Sequence, residues 1–318
     1  MPELTCVEIC AGAGGQFLGL EWAGFSHRAA VEIDRDACAT LRLNWPGWDV
    51  IELDVHHFKG IDYRGVDLLA GGVPCPPFSI AGKQLGADDE RDLFPQALRI
   101  AEECEPTAIM LENVRGLATA RFAQYRAQVL DRLHELGYET RWQVLNASEF
   151  GVPQLRPRFI LVALMPAAAA HFTWPNPVGT PPTVGEVLRD LMAAGGWGGA
   201  DAWAQRAAGI GPTLVGGSRK HGGPDLGPTR AREAWLKLGV DGRGLADGPP
   251  RASDHGNHIP RLTLQMAATL QGFPRHWRIS GRKTAGYRQI GNALPPPVAQ
   301  AVGASIRAAI EAARGDTP

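Results

Sequence analysis

Three groups of side chains sit where a polypeptide could do chemistry. Cys75 lies within Gly71-Gly72-Val73-Pro74-Cys75-Pro76-Pro77-Phe78-Ser79, directly after the apolar run Val66-Asp67-Leu68-Leu69-Ala70. That run reads as a buried strand, and the glycines and prolines end it abruptly. The thiol is therefore expected in a rigid turn at the strand's carboxyl end. In an open α/β sheet this is the end where ligands bind, and a thiolate there is a candidate nucleophile. A free cysteine in such a turn can equally be buried and inert, so its partners decide. Glu112 follows a second apolar run, Thr107 to Leu111, which puts its carboxyl group on the same sheet edge. Further on, Gln154, Arg156 and Arg158 alternate through an extended segment and should share one face.

The elements that must position these groups alternate between strand and helix. Residues 4–10 read as a first buried strand, followed by Ala11-Gly12-Ala13-Gly14-Gly15 and a helix from Gln16 to about Ala23. A glycine-rich strand-to-helix turn lets a ligand approach the backbone and presents helix N–H groups to it, although the spacing is not GxGxxG. A second strand, Arg28 to Ile33, ends in Glu32-Ile33-Asp34, and a third, Val50 to Leu53, ends in Asp54. Acids at these strand ends suit ribose hydroxyls and a nucleoside, with helix capping as the alternative for Asp34 and Asp54. Residues 80–91 are polar and lack periodicity, so a loop beside the cysteine is expected, and Asp92 then caps a helix to about Cys104. A helix over 120–136, strands over 139–145 and 159–164, a helix to about Gln271 and a final helix from Pro297 to about Ala313 complete the reading. Between them, residues 167–258 are rich in Gly, Pro, Trp and Arg and show little periodicity, as expected of a small irregular domain.

Composition narrows the class. Across 318 residues the net charge is −1, but residues 1–150 carry 13 Lys/Arg against 23 Asp/Glu, while residues 151–290 carry 17 against 8. One acidic and one basic portion point to contact between the latter and a polyanion. Five cysteines with no paired CxxC spacing indicate neither a disulfide framework nor a zinc site. No apolar run is long enough for a membrane span and the N-terminus lacks a hydrophobic signal core, so a cytoplasmic protein without metal or membrane partner is expected.

The motifs Gly-Val-Pro-Cys-Pro-Pro-Phe-Ser, Glu-Asn-Val, Gln-x-Arg-x-Arg, Leu-Gln-Gly-Phe-Pro and Gln-Ile-Gly-Asn-Ala occur in that order. In this the chain resembles the DNA (cytosine-5) methyltransferases of bacterial restriction-modification systems. The resemblance implies an α/β, Rossmann-like, S-adenosylmethionine-dependent fold with a mostly parallel sheet. It implies a catalytic and cofactor-binding domain over 1–166, a target-recognition domain over 167–258, and a segment, 259–318, that returns to the first domain. It makes Cys75 the nucleophile that adds to carbon-6 of a flipped cytosine, and Glu112 the acid at N3 and the exocyclic amine. Arg158, helped by Arg156, would polarise O2. Gly12, Gly14 and Gly15 would pass the methionine moiety of the cofactor, Glu32 would take the ribose hydroxyls and Asp54 the adenine amine. Cys10, Ile33, Val55, Pro74, Asn292 and Ala293 would complete the pocket. Ser79, Lys83 and Arg91 near the cysteine, and Arg219, Lys220, Arg230 and Arg232 in the basic region, would meet DNA. Two positions depart from the family's pattern: Cys10 replaces an aromatic residue expected against the adenine, and Gln265 replaces a glutamate.

Double-stranded DNA is thus the expected substrate, with the protein a monomer used at the nucleoid and a cognate restriction endonuclease acting on the same site without a stable complex. A tRNA (cytosine-5) methyltransferase of the same fold and a catalytically silent DNA-binding regulator are the alternatives. A nicotinamide oxidoreductase would leave the Pro-Cys and Glu-Asn-Val motifs unexplained.

Overall fold

The computed structural model describes residues 3–74, 92–216 and 223–315. The strands are β1 (Leu4–Ile9), β2 (Phe25–Glu32), β3 (Val50–Glu52), β4 (Leu68–Gly71), β5 (Ala108–Val114), β6 (Glu139–Asn146), β7 (Gln154–Leu155), β8 (Pro157–Leu164) and β9 (Gly211–Pro212). The helices are α1 (Gly15–Trp22), α2 (Arg35–Asn44), α3 (Phe94–Cys104), α4 (Ala123–Glu135), α5 (Pro166–Ala169), α6 (Val184–Ala193), α7 (Ala200–Arg206), α8 (Thr229–Lys237), α9 (Leu264–Leu270), α10 (Lys283–Asn292) and α11 (Pro296–Gly315).

Seven strands form one sheet in the order β3-β2-β1-β4-β5-β8-β6. The pairs from β3 through β5 are parallel, whereas β8 runs antiparallel to β5. This is the mostly parallel α/β sheet that the strand–helix alternation implied. Central strands of such a sheet are covered on both faces and therefore read as continuous apolar runs. Every residue of β4 is buried, as are the first six of β5. On one face Val7, Ile9, Leu69, Ile109 and Leu111 pack with Phe94, Ile100 and Leu133 of α3 and α4. A second cluster gathers Phe17, Ala30, Cys38, Leu41 and Val50, with Trp45 and Trp48 against it.

The chain divides into two compact units, 1–145 with 157–176 and 298–318, and 146–156 with 177–297. These boundaries differ from those expected at 166 and 259, and residues 259–318 are shared between both units. Within the sheet unit, α11 returns onto α1. A Cβ on Gly303 would lie 2.8 Å from Leu20 and 3.0 Å from Ala23, so only glycine permits that approach. Arg314 and Asp67 form an ion pair in the same unit.

The second unit is more regular than its composition suggested. Thr183 and Glu186 form a reciprocal capping box at the start of α6, and Val184, Leu188 and Met192 bury one face of it. Trp203 of α7 is buried, with its indole N–H donating to Gly239 O at 2.9 Å. Tyr287-Arg288-Gln289-Ile290-Gly291-Asn292, expected to lead into the last helix, is itself helical as part of α10.

Candidate active site

The register of β1, β4 and β5 brings three carboxyl ends together. Gly71 pairs with Ile9 on one side and Leu111 on the other, so Cys10, Gly72 and Glu112 emerge side by side. A Cβ on Gly72 would stand 3.4 Å from Glu112 Oε2 and 3.9 Å from Cys10 O, which shows how closely they converge.

Glu112 and Arg158 are diagonal neighbours on the antiparallel β5–β8 pair, because Val114 is the residue opposite Arg158. Side-chain alternation puts residues 112 and 158 on one face, within reach of a long side chain. Arg158 Nε lies 2.9 Å from Glu112 Oε1, and the two side chains are 11% and 10% exposed. Burial pulls the Arg158 pKa below the usual guanidinium value, and the Glu112 carboxylate opposes that pull. The result is a carboxylate and a guanidinium held in a shielded place, where each acts more strongly on a bound group than it would in water.

Cys75 lies outside the described residues, as do Ser79, Lys83, Arg91, Arg219 and Lys220. The residues on either side, up to Pro74 and from Asp92, are nonetheless defined. Asn113 Nδ2 donates to Val73 O at 2.7 Å, and Leu93 N donates to Pro74 O at 3.1 Å. Asp92, buried, accepts from Phe94 N and from the Tyr125 hydroxyl at 2.6 Å. Asn113, Asp92 and Tyr125 did not figure among the site residues read from the sequence. The signal available for Asn113 was its place inside Glu-Asn-Val.

Arg156 is placed differently from the sequence expectation. It is fully buried, and its guanidinium donates to the carbonyls of Leu214 at 2.9 Å, Gly291 at 2.6 Å and Ala293 at 2.9 Å. Gln154 beside it binds Gln271 Oε1 at 2.9 Å and accepts from Leu214 N at 2.9 Å. All of these residues belong to the second unit, so the segment 154–158 does not present one continuous functional face. Gln154 and Arg156 knit that unit together, and Arg158 pairs with Glu112 in the sheet unit.

The candidate cofactor pocket gathers at the neighbouring strand ends. Glu32, 9% exposed, accepts Gly12 N at 2.8 Å on Oε2 and Asp34 N at 2.7 Å on Oε1. A carboxylate has about four acceptor positions, so capacity remains for two ribose hydroxyls. Burial lifts the Glu32 pKa against the pull of the N–H groups of Asp34, Gly12 and Ile33. Cys10, Gly12 and Gly14 all take left-handed backbone angles, with φ of 53°, 55° and 81°, and a Cβ on Gly12 would meet nothing within 4 Å. The turn thus keeps open space beside its backbone, and Gly15 begins α1. Leu53 N donates to Glu32 O at 3.0 Å, which draws Asp54 and Val55 up to the Glu32–Ile33 end. Ile33 is exposed and Val55 buried; Asp54 caps a short turn through His56 N at 3.0 Å. The hydrogen bonds from His56 lower the Asp54 pKa, so it stays anionic. These residues fit a nucleoside with a zwitterionic tail.

Cys10 is half-buried, and burial together with the Glu32, Glu8 and Asp54 carboxylates drives its thiol pKa far up. The Cys10 thiol therefore offers a neutral contact rather than a nucleophile. Pro74 is exposed at the end of β4's extension, and Asn292 and Ala293 belong to the second unit at the end of α10. In α8, Arg230 is exposed and Arg232 half-buried, with Arg232 near the Thr229 hydroxyl at 3.3 Å. Two residues apart on a helix, they point to different sides and form no common patch. Among the described residues no three His, Cys, Asp or Glu side chains are arranged to hold a metal, and no helix is long and apolar enough to cross a membrane.

Residues 4–308 match the C-5 cytosine-specific DNA methylase family. The chain is 60% identical to the type II methyltransferase M.NaeI of Lentzea aerocolonigenes, over 98% of this chain and 76% of that protein. It is 52% identical to the type II methyltransferase M.NgoMIV of Neisseria gonorrhoeae, over 97% and 99%. Among solved structures it resembles a DNMT2 variant of Spodoptera frugiperda, with a TM-score of 0.66 and 17% identity over 96% and 99% of the two chains.

Proposed function

Because this chain belongs to the C-5 cytosine-specific DNA methylase family, we propose that the carboxyl edge of its sheet is where a target cytosine is methylated, with Cys75 as the nucleophile and Glu112 and Arg158 as the groups that activate the base. The protein is a DNA cytosine-5 methyltransferase of the type II restriction-modification class. The observation that carries the site assignment is the shielded Glu112–Arg158 pair beside Gly72, three residues before Cys75.

Carbon-5 of cytosine is too electron-poor to attack a methyl sulfonium directly. Addition of the Cys75 thiolate to carbon-6 would make carbon-5 enamine-like. Glu112 would hold a proton at N3 and accept from the exocyclic amine, which makes carbon-6 more electrophilic. Arg158 would donate to O2 and stabilise negative charge developing there. Loss of the carbon-5 proton after transfer would expel the thiolate again. When bound, S-adenosylmethionine supplies the electrophilic methyl group. Glu32 would bind its ribose, Asp54 its adenine amine, and the Gly12-to-Gly15 turn its methionine part, with Cys10, Ile33, Val55 and Pro74 around them. A base inside a duplex is out of reach of such a site, so the target nucleotide would be flipped out of the helix.

The second unit, basic in composition, would supply sequence recognition, with Arg230 and Arg232 and residues 219–220 as candidate contacts. Lys83 and Arg91 would contact phosphates near the flipped base. The protein is expected to act as a monomer in the cytoplasm, alongside a restriction endonuclease that acts on the same site.

The test is methyl transfer from labelled S-adenosylmethionine to unmethylated genomic DNA and to bulk tRNA, with Cys75→Ser alongside. Label in DNA as 5-methylcytosine, lost in the variant, is the expected result. Label that persists in Cys75→Ser, or that enters tRNA alone, would overturn the assignment.

A further inference from the structure

We infer that Gln16 recognises the amino-acid end of S-adenosylmethionine, its amide donating to the α-carboxylate and accepting from the α-ammonium. This rests on the cofactor placement proposed above. Gln16 is 4% exposed, and both its Nε2 and its Oε1 are buried without a hydrogen-bond partner. Among the described residues of the sheet unit it is the one buried side chain whose polar atoms are left this way. A buried amide without partners is costly, and a fold that keeps one has a compensating use for it.

Its position says what that use is. Gln16 is the second residue of α1, immediately after the glycine turn. Helical side chains lean toward the helix N-terminus, and the residues just before Gln16 on that side are Gly14 and Gly15. The N-cap, Gly14, has no side chain to offer, and the first turn carries no acid. That leaves the start of the helix and the Gln16 amide to a ligand. A helix N-terminus favours an anion, and the ligand's one carboxylate is on its amino-acid tail. The amide oxygen needs a donor at the same place, and the neighbouring α-ammonium is one. A zwitterion satisfies both atoms; the adenosine part, matched to Glu32 and Asp54, does not.

The test compares two probes by isothermal titration calorimetry. S-adenosylhomocysteine carries the amino-acid tail, and 5′-methylthioadenosine lacks it. Gln16→Met keeps the length and removes the polar atoms, and Gln16→Leu serves as a second variant. Each should bind S-adenosylhomocysteine about tenfold more weakly while binding 5′-methylthioadenosine as the wild type does. Ligand-free melting should be unchanged or higher, because an unpartnered amide has been replaced by an apolar group. Equal losses for both probes, or no loss for either, would overturn the role of Gln16. Failure of the wild type to bind S-adenosylhomocysteine would instead bring down the cofactor placement, and this inference with it.

Discussion

Arg156 and Arg158 stand two residues apart, yet their guanidinium groups are committed to different compact units. Arg156 donates to Leu214, Gly291 and Ala293, and Arg158 pairs with Glu112 at 2.9 Å. Arg156→Ala should therefore act on stability, since three carbonyls lose a buried donor at about 1–3 kcal/mol each. A clear drop in the thermal unfolding midpoint is expected. Arg158→Ala should melt closer to the wild type and lose about 10²–10³ in methyl-transfer rate. Equal destabilisation by the two would contradict this division.

Glu112→Gln keeps the shape and a hydrogen-bonding end but removes the charge facing Arg158. The rate should fall about 10²–10⁴-fold, with S-adenosylhomocysteine affinity unchanged, since the cofactor contacts run through Glu32 and the glycine turn. Rapid-quench kinetics together with calorimetry separates the two effects. A matching loss of ligand affinity would show that the pocket itself had been disturbed.

Cofactor affinity should depend on pH through Glu32. Its pKa is raised by burial, and only the ionised carboxylate accepts from both ribose hydroxyls. Affinity should therefore be full above the raised value and fall as pH drops through it, beginning above the ordinary glutamate value of about 4.3. Glu32→Gln should bind more weakly at neutral pH and lose that dependence. Titrations from pH 8 to 5 read both.

The sheet unit also holds a buried charge network. His27, wholly enclosed, places Nδ1 2.8 Å from Glu21 and Nε2 3.3 Å from Glu8, and its ring stacks on Phe17 at 3.8 Å. Burial opposes the charged ring, but Cys6, Glu21 and Glu8 together raise its pKa well above the usual histidine value. A raised folded-state value stabilises fully below the unfolded pKa of about 6.5, and that contribution is lost as pH rises through the folded one. His27→Ala should cost about 3–5 kcal/mol near pH 6, since it strands two carboxylates. The gap from wild type should narrow on the alkaline side. Denaturant unfolding at a series of pH values checks it.

Much of this molecule was legible in the order of its residues. Apolar runs ended by glycine, proline or an acid located β1, β4 and β5, because parallel strands buried on both faces must be apolar throughout and must stop sharply where a ligand binds. The same signal at the end of β2 brought Glu32 to the sheet edge that carries Glu112, the edge where the sequence expects Cys75. The Thr183–Glu186 capping box was also present in the sequence, although the glycines and tryptophans around it obscured the helix it starts.

Other features depended on contacts between residues far apart in the chain. Alternation placed Gln154, Arg156 and Arg158 on one face, but the partners of Arg156 come from residues 214, 291 and 293. No local pattern encodes such a choice. The same holds for Asn113 on Val73 O, for His27 between Glu8 and Glu21, and for Gln16. Residue type and spacing determine which chemistry is available and along which edge, since strand period and chain termination are local properties. Which polar groups find partners, and which are left for a ligand, is decided only when distant segments pack, because a hydrogen bond or an unmet amide exists only in three dimensions.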